Sequence, residues 1–138
     1  MKSPMSKDTE SNKSIVRRFF NAIESGDLSV LNEIVTETYD FHVPGQGPGR
    51  ESLKRYLAAL RAALPDLQLP IKDMVAEDNK VVVFNSVRGT HKGDFGPMKA
   101  TGKRVDFMVF HLYRLEDGRL AEHWEVADVA TLHAQIQD

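Results

Sequence analysis

Apolar residues in the N-terminal half of the chain recur every three or four positions, which is the spacing of an amphipathic helix. One stripe runs over residues 11–26 and ends at Gly26, and a shorter one opens at Asp27. A third stripe covers residues 50–64, where Pro65 stops it. The pattern therefore predicts about three helices in the first half of the chain.

The spacing changes to that of strands in the second half. Residues 36–42 already look extended, and after Leu67 two strand-like runs flank a turn at residues 77–79. A final hairpin covers residues 105–128, and a short helical tail follows. Helices followed by antiparallel strands are typical of an α+β fold. We expect a curved sheet wrapped around the helices, with room for an internal cavity between the layers.

Length and composition narrow the class of protein. The chain has 138 residues, which predicts one domain over residues 11–138 after a disordered leader at residues 1–10. It contains no cysteine and carries a net charge of −2, so thiol chemistry is excluded and nucleic acid or anionic membrane partners are not expected. No apolar stretch approaches the length of a membrane span, and we expect a cytoplasmic protein.

The register of the final hairpin decides which polar side chains share a face. A wider turn that pairs Leu115 with Arg119 opposes His111 to His123 and Val109 to Glu125. A narrower two-residue turn at Asp117-Gly118 would shift the register by one position and place His111 beside Trp124 instead. We prefer the wider turn. One face then carries Phe107, Val109, His111, Tyr113, His123 and Glu125, and the other carries Met108, Phe110, Leu112, Leu120, Trp124, Val126 and Asp128.

A histidine and a carboxylate on an apolar wall could form an acid/base pair, because burial brings a carboxyl pKa toward neutrality. The alternative is a structural polar cluster, or side chains that meet solvent at the sheet edge. His42 precedes the Pro/Gly loop at residues 44–49 and could reach the mouth of a pocket. The histidine spacing does not match a metal motif, so no metal site is predicted. Because the opposite face is also apolar, we expect helices or another subunit to cover it, and a sheet buried on both sides in so small a protein suggests a homodimer.

Several segments together resemble SnoaL-like polyketide cyclase domains of the NTF2-like superfamily, from about residue 12 to residue 135. They are Asn12 to Phe20, Ser25-Gly26-Asp27 with Leu31, Pro48-Gly49-Arg50-Glu51, Phe84 to His91 with Gly93, Val109 to Trp124, Asp117-Gly118-Arg119-Leu120 and Glu122-His123-Trp124. The resemblance implies a cone of curved antiparallel sheet closed by helices, usually dimeric or tetrameric, that works without metal or cofactor.

The same resemblance implies an intramolecular aldol condensation on a polyketide ester. The family's histidine falls on His111 and its acid/base carboxylate on Glu125, where the family has aspartate. Val109 replaces a polar residue of the family. If the narrower turn held, Asp128 would be the alternative carboxylate.

Our leading hypothesis is a cofactor-free enzyme that acts on a small hydrophobic ester or ketone. Glu125 would be the general acid/base, His111 would assist, and His123 with Tyr113 would orient them. Apolar walls or packing are expected from Trp124, Tyr39, Phe41, Tyr56 and Phe107. A ketosteroid-type isomerase is a related possibility, and a non-catalytic ligand-binding or dimerisation module is the alternative of another class.

Overall fold

The computed structural model describes residues 5–137, and the side chains of residues 8–137. Its helices are α1 Met5–Ser25, α2 Leu31–Ile34, α3 Arg50–Ala63 and α4 Val129–Ile136, with a 3-10 turn at Leu28–Val30 before α2. Its strands are β1 Val35–His42, β2 Ile71–Glu77, β3 Lys80–Thr90, β4 Arg104–Glu116 and β5 Arg119–Ala127. The α+β class is confirmed, with three helices before β2 and a fourth at the C-terminal end.

The first helix begins earlier than its apolar stripe predicts. The sequence places its start near Ser11, whereas α1 begins at Met5, so residues 5–10 are helical where a leader was predicted. The rest of that predicted leader, residues 1–4, lies outside the described residues. A polar segment has no apolar periodicity, so periodicity could not indicate that the helix continues through it.

The five strands form one sheet in the order β1-β5-β4-β3-β2 across the described part of the chain. β1 runs parallel to β5, and the other neighbouring pairs are antiparallel. β4 and β5 therefore lie inside the sheet, each with a neighbour on both sides. The curved sheet holds helices α1 and α3 on one side, and the buried apolar residues lie between these layers.

The final hairpin has a different register from the one we preferred. Its loop is the narrow one, since Asp117 and Gly118 both have positive φ and Glu116 pairs with Arg119. An irregularity in the ladder then leaves Ala121 without a partner, so that Arg114 pairs with Glu122. The bulge moves the register by one further position.

Two corrections follow from this bulge. His111 opposes Glu125, and Tyr113 opposes His123, so the predicted wider-turn pairs are wrong. The predicted grouping of the His and Glu side chains on one face nevertheless agrees with the structure, because the two single-position shifts add up to a full period of two. Leu120 was assigned to the opposite face, but it pairs with Leu115 and is fully buried in the core.

Candidate functional site

A cavity of about 290 Å³ lies between the helices and the concave face of the sheet. Most of its wall is apolar, with aromatic rings from α1, β1 and α3 and branched side chains from β3 and β4. The ring-bearing apolar residues on the wall are Phe19, Phe20, Phe41, Tyr56, Phe95, Phe107 and Tyr113. Such a lining suits a small hydrophobic molecule, because apolar surface leaves water on binding.

One stretch of the cavity wall is polar, and the hairpin supplies it. His111 lies on β4, directly across from Glu125 on β5, and His123 is two residues before Glu125 on the same strand. The alternation of side chains along β5 places His123 and Glu125 on the same face. The three side chains therefore meet on the concave face, and all three line the cavity.

The two imidazoles share a hydrogen bond, and the carboxylate lies beside them. His111 Nδ1 is 2.7 Å from His123 Nε2. Glu125 Oε1 lies 3.7 Å from each of these nitrogens, which is too long for a hydrogen bond. The carboxylate is close enough to share the site without being held by either ring, so its oxygens remain available to a ligand.

Aromatic stacking holds His123 in place from the two strands that flank β5. The Phe41 ring on β1 lies parallel to the imidazole at 4.7 Å between ring centroids, and Tyr113 on β4 stacks on it at 4.3 Å. Phe20 of α1 meets His111 edge-on at 5.6 Å. These contacts restrict both imidazoles to one orientation, which the hydrogen bond between them also requires.

Burial without a strong counter-charge sets the electrostatics of this cluster. Within residues 8–137 the basic nitrogens within 4 Å of the Glu125 carboxylate are those of the two imidazoles. Desolvation raises the pKa of Glu125 to about 7 and lowers the pKa of His111 to about 3. Burial also depresses the pKa of His123 well below its usual value, with a smaller contribution from the neighbouring His111. At pH 7 both histidines are therefore neutral, and Glu125 exchanges its proton readily.

The unpaired nitrogen of His123 indicates where the protons lie on the two rings. Its Nδ1 is buried and has no hydrogen-bond partner. A bare lone pair there is less costly than an orphaned N–H, since buried N–H groups without partners are rare. His123 therefore carries its proton on Nε2 and donates it to Nδ1 of His111. His111 must then carry its own proton on Nε2, where it can donate to a ligand.

Five of the other residues that the sequence analysis placed on this wall or face also line the cavity: Phe41, Phe107, Val109, Tyr113 and Tyr56. Tyr39 does not line it. Its side chain is fully buried, with its ring 6.3 Å from that of Phe41 and 6.2 Å from that of His123. Tyr39 therefore supports the wall from behind.

The structure does not bring His42, Trp124 or Asp128 to the cavity. His42 and Trp124 stack on each other on the outer face of the sheet, with ring centroids 4.8 Å apart. Asp128 follows β5 and caps helix α4, where its carboxylate accepts hydrogen bonds from the backbone N–H and the hydroxyl of Thr131. These bonds lower the pKa of Asp128, which therefore serves the fold as an ionised cap.

Two polar residues of the cavity were missed by the sequence analysis. Asn85 on β3 and His91 just after it are both buried and both line the cavity. The Nδ1 atom of His91 is 3.1 Å from the hydroxyl of Thr101. A signal for Asn85 was present, because an amide in the middle of an apolar strand is costly unless it has a partner.

Metal-type donors converge at two places within residues 8–137. His111, His123 and Glu125 form one group, and Asp40, His42 and Glu122 form the other, each with donor atoms within 4.8 Å of one another. In the inner group a metal would have to replace the hydrogen bond between the imidazoles. The absence of a dedicated metal site stays a prediction. The sequence spacing did not indicate either group, because strand pairing brings the residues together.

The fold and site together define a small α+β protein with a ligand-sized apolar cavity and one buried polar wall. The SnoaL-like polyketide cyclase family matches residues 14–136, and the chain belongs to this family. The predicted resemblance is thereby confirmed.

Similar solved structures extend over most of the chain. TsrD from Streptomyces laurentii is 26% identical, with a TM-score of 0.86, and the match covers 92% of this chain and 95% of TsrD. IdmH from Streptomyces antibioticus, proposed to be a polyketide cyclase, is 28% identical with a TM-score of 0.80, and the match covers 90% of this chain and 96% of IdmH. AclR from Streptomyces galilaeus, proposed to be a hydroxylase, is 25% identical with a TM-score of 0.81, and the match covers 93% of this chain and 96% of AclR. Comparison with curated proteins gives no match.

Proposed function

We propose that this protein is a cofactor-free cyclase or isomerase that moves a proton next to a carbonyl in a small hydrophobic ester or ketone. The observation that carries the proposal is a carboxylate buried on the wall of an apolar cavity, 3.7 Å from two imidazoles, where burial raises its pKa to about 7. A general base works best when its pKa is near the working pH. Membership in a family of polyketide cyclases supports the same class of reaction.

The reaction would begin at Glu125. Its carboxylate takes a proton from the carbon next to the substrate carbonyl, and the C–H electron pair moves into an enolate. As the carbonyl oxygen gains negative charge, it accepts a hydrogen bond from Nε2–H of His111. The hydrogen bond from His123 keeps His111 in this tautomer. Donors aimed at developing charge in a dry site stabilise the transition state strongly.

The second half returns the proton. In a cyclase the enolate carbon attacks a ketone carbon of the same molecule, and a new C–C bond forms. The alkoxide produced then takes the proton held by Glu125. In an isomerase Glu125 would instead return the proton to another carbon of the conjugated system. Both routes leave the protein unchanged, so they need no external oxidant or reductant.

Isotope exchange on a simple ketone tests this proposal directly. The bicyclic ketone 2-tetralone in D2O exchanges its α-protons only when a base removes them, and ¹H NMR follows the loss of signal. We expect the protein to accelerate exchange above the buffer rate, with a rate that rises through about pH 7 as Glu125 ionises. Glu125→Gln should lose about 10²- to 10⁴-fold of the acceleration.

Glu122→Gln is the matched control, because Glu122 lies on the same strand and faces away from the cavity. It should keep the rate within about twofold, since surface changes rarely disturb a distant site. Full exchange activity in Glu125→Gln would contradict the mechanism. Tight binding of 2-tetralone without exchange in the wild type would instead favour the ligand-binding alternative, which the largely apolar wall also supports.

We also propose that the protein forms a homodimer through the outer face of the sheet. Phe84 on β3 stacks on Phe110 of β4 at 4.5 Å, and Phe110 pairs with Val126 of β5. With Met108 and Trp124 they form an exposed apolar row, which we call the outer patch, and Phe110 is 51% and Val126 75% exposed. An exposed patch of this kind marks an interface, and a two-fold axis would bury it against itself.

None of the helices in the described chain is long and apolar enough to cross a membrane. The predicted cytoplasmic location is kept as part of this proposal.

A further inference from the structure

We propose that Asn85 forms a second polar subsite in the cavity, which accepts a hydrogen bond from a hydroxyl or N–H group of the substrate. The substrate would then carry its hydrogen-bond donor at a distance from the carbonyl that reacts at Glu125. This inference rests on the proposed function for the identity of the reacting end, and it adds the chemical class of the other end.

The amide of Asn85 has one satisfied half and one free half. The residue is fully buried, and its Nδ2 donates to the backbone carbonyl of Ser86 at 3.0 Å. Only the amide nitrogen can donate to a carbonyl, so this contact fixes which side of the amide is oxygen. The oxygen, Oδ1, is buried and has no hydrogen-bond partner. Leaving a buried acceptor in this state is unfavourable, and a ligand donor would remove that cost.

The position of Asn85 in the sheet separates it from the acid/base cluster. It pairs with Val109 on β4, and His111 is two residues further along β4 on the same face. Asn85 and His111 are therefore diagonal neighbours, which in an antiparallel sheet lie about 7–8 Å apart. Val109 and other apolar side chains line the cavity wall between them, so one bicyclic or larger ligand would span both polar points.

A lone acceptor selects ligands by their chemistry. A hydroxyl or an N–H at this point pairs with Oδ1, whereas a carbonyl or an ether oxygen there would face another acceptor and be rejected. A site that hydrogen-bonds a substrate group discriminates strongly against analogues that lack it, because its own buried group is then left unpaired. Asn85 is thus a specificity-determining residue, and it lies where the side chain of Val109 offers no polar contact.

Two aromatic probes separate this subsite from the acid/base cluster. Their affinities are measured by isothermal titration calorimetry for 2-naphthol and for 2,6-dihydroxynaphthalene. In the wild type the second hydroxyl should tighten binding about tenfold, as one additional hydrogen bond allows. Asn85→Leu should reduce this gain to about twofold or less. Glu125→Gln should keep most of it, because its substitution lies at the other end of the ligand.

Each result has one meaning. A tenfold gain that persists in Asn85→Leu, or that disappears only in Glu125→Gln, would overturn the proposed subsite. Loss of proton exchange on 2-tetralone bears on the acid/base proposal alone, because that ketone has no hydroxyl for Asn85. Near-UV circular dichroism checks the fold, and Asn85→Val replaces Asn85→Leu if the larger side chain prevents folding. Asn85→Thr, which keeps an oxygen acceptor, should restore part of the gain.

Discussion

The two faces of the sheet at strand β5 each bring a glutamate of that strand close to histidine, but in opposite environments. On the inner face, Glu125 lies in an apolar cavity beside two neutral imidazoles, and burial raises its pKa to about 7. On the outer face, Glu122 accepts a hydrogen bond from Arg114 at 2.8 Å and lies 2.7 Å from a nitrogen of His42. The bond from Arg114, followed by that from His42, lowers the pKa of Glu122.

This difference shows that a histidine–glutamate pair has no fixed chemistry. Glu122 has a permanent cation at hand and stays ionised, so it can hold a surface contact but cannot shuttle a proton near pH 7. Glu125 lacks such a cation, so its two protonation states are close in free energy. Only three positions separate the two carboxylates along the chain. The side of the sheet, rather than the residue type, assigns the role.

The largest expected effect concerns the outer face and its apolar row. Phe110→Lys places a charge in the centre of the outer patch, and it should weaken dimerisation by at least about 100-fold. Analytical ultracentrifugation at a series of concentrations measures the shift from dimer to monomer. Asn79→Lys adds the same charge at the exposed β2–β3 turn and should leave the association unchanged. A wild type that sediments as a monomer at all concentrations would refute the proposed dimer.

The next effect is on the free energy of unfolding, which should change in opposite directions when Glu125 and Glu122 are each replaced by glutamine. Because the pKa of Glu125 is raised on folding from 4.5 to about 7, its ionisation lowers the stability of the fold as the pH rises through this range, and the loss is complete above it. Glu125→Gln should therefore increase the free energy of unfolding at pH 8 by about 1–3 kcal/mol. Glu122→Gln loses a favourable but partly solvated pair and should decrease it by less than about 1 kcal/mol. Urea denaturation measures both changes in the free energy of unfolding. If both variants were less stable than the wild type, burial of Glu125 would not destabilise the fold.

The third effect is the dependence of stability on pH, which is smallest when taken per pH unit. The unfolded chain takes up protons on His111 and His123 below about pH 6.5, but the folded chain does not, because their folded pKa values are depressed. Each histidine then removes about 1.4 kcal/mol of stability per pH unit as the pH falls. Glu125 acts in the opposite direction between about pH 4.5 and 7, so it offsets one of them.

The net slope should be about 1.4 kcal/mol per pH unit between pH 4.5 and 6.5. His111→Asn should flatten it, whereas Glu122→Gln should leave it nearly as in the wild type. Urea denaturation at four pH values gives these slopes. A wild type whose stability does not fall over this range would mean that the two imidazoles become protonated inside the fold.

Periodicity was sufficient to predict most of the fold. The apolar stripes at residues 11–26 and 50–64 correspond to α1 and α3, because an amphipathic helix packs its apolar stripe against the core. The final hairpin was also predictable from its two long strand-like runs and the Asp-Gly turn. The start of α1 was not, because residues outside the core leave no apolar period to follow.

The candidate site was only partly predictable. Alternation along β5 correctly joined His123 and Glu125, and the same rule should have excluded His42, which is adjacent to the inward-facing Phe41 on β1. The exact partner of His111 was beyond the sequence, since a bulge at an alanine has no compositional signal. Asn85 carried a signal, as an amide within an apolar strand, but the sequence could not show that its oxygen has no hydrogen-bond partner.

The unpaired Ala121 also affects how relatives of this chain should be aligned. A relative that lacks one residue between the turn and the glutamate would present a different set of side chains to its cavity, even if every other letter were the same. A single gap in an alignment at this point therefore means that the residues on one side of it have moved from the inner face of the sheet to the outer face, or the reverse. Functional residues transferred between relatives across such a gap should be assigned by strand partner, and column number alone would assign them to the wrong face.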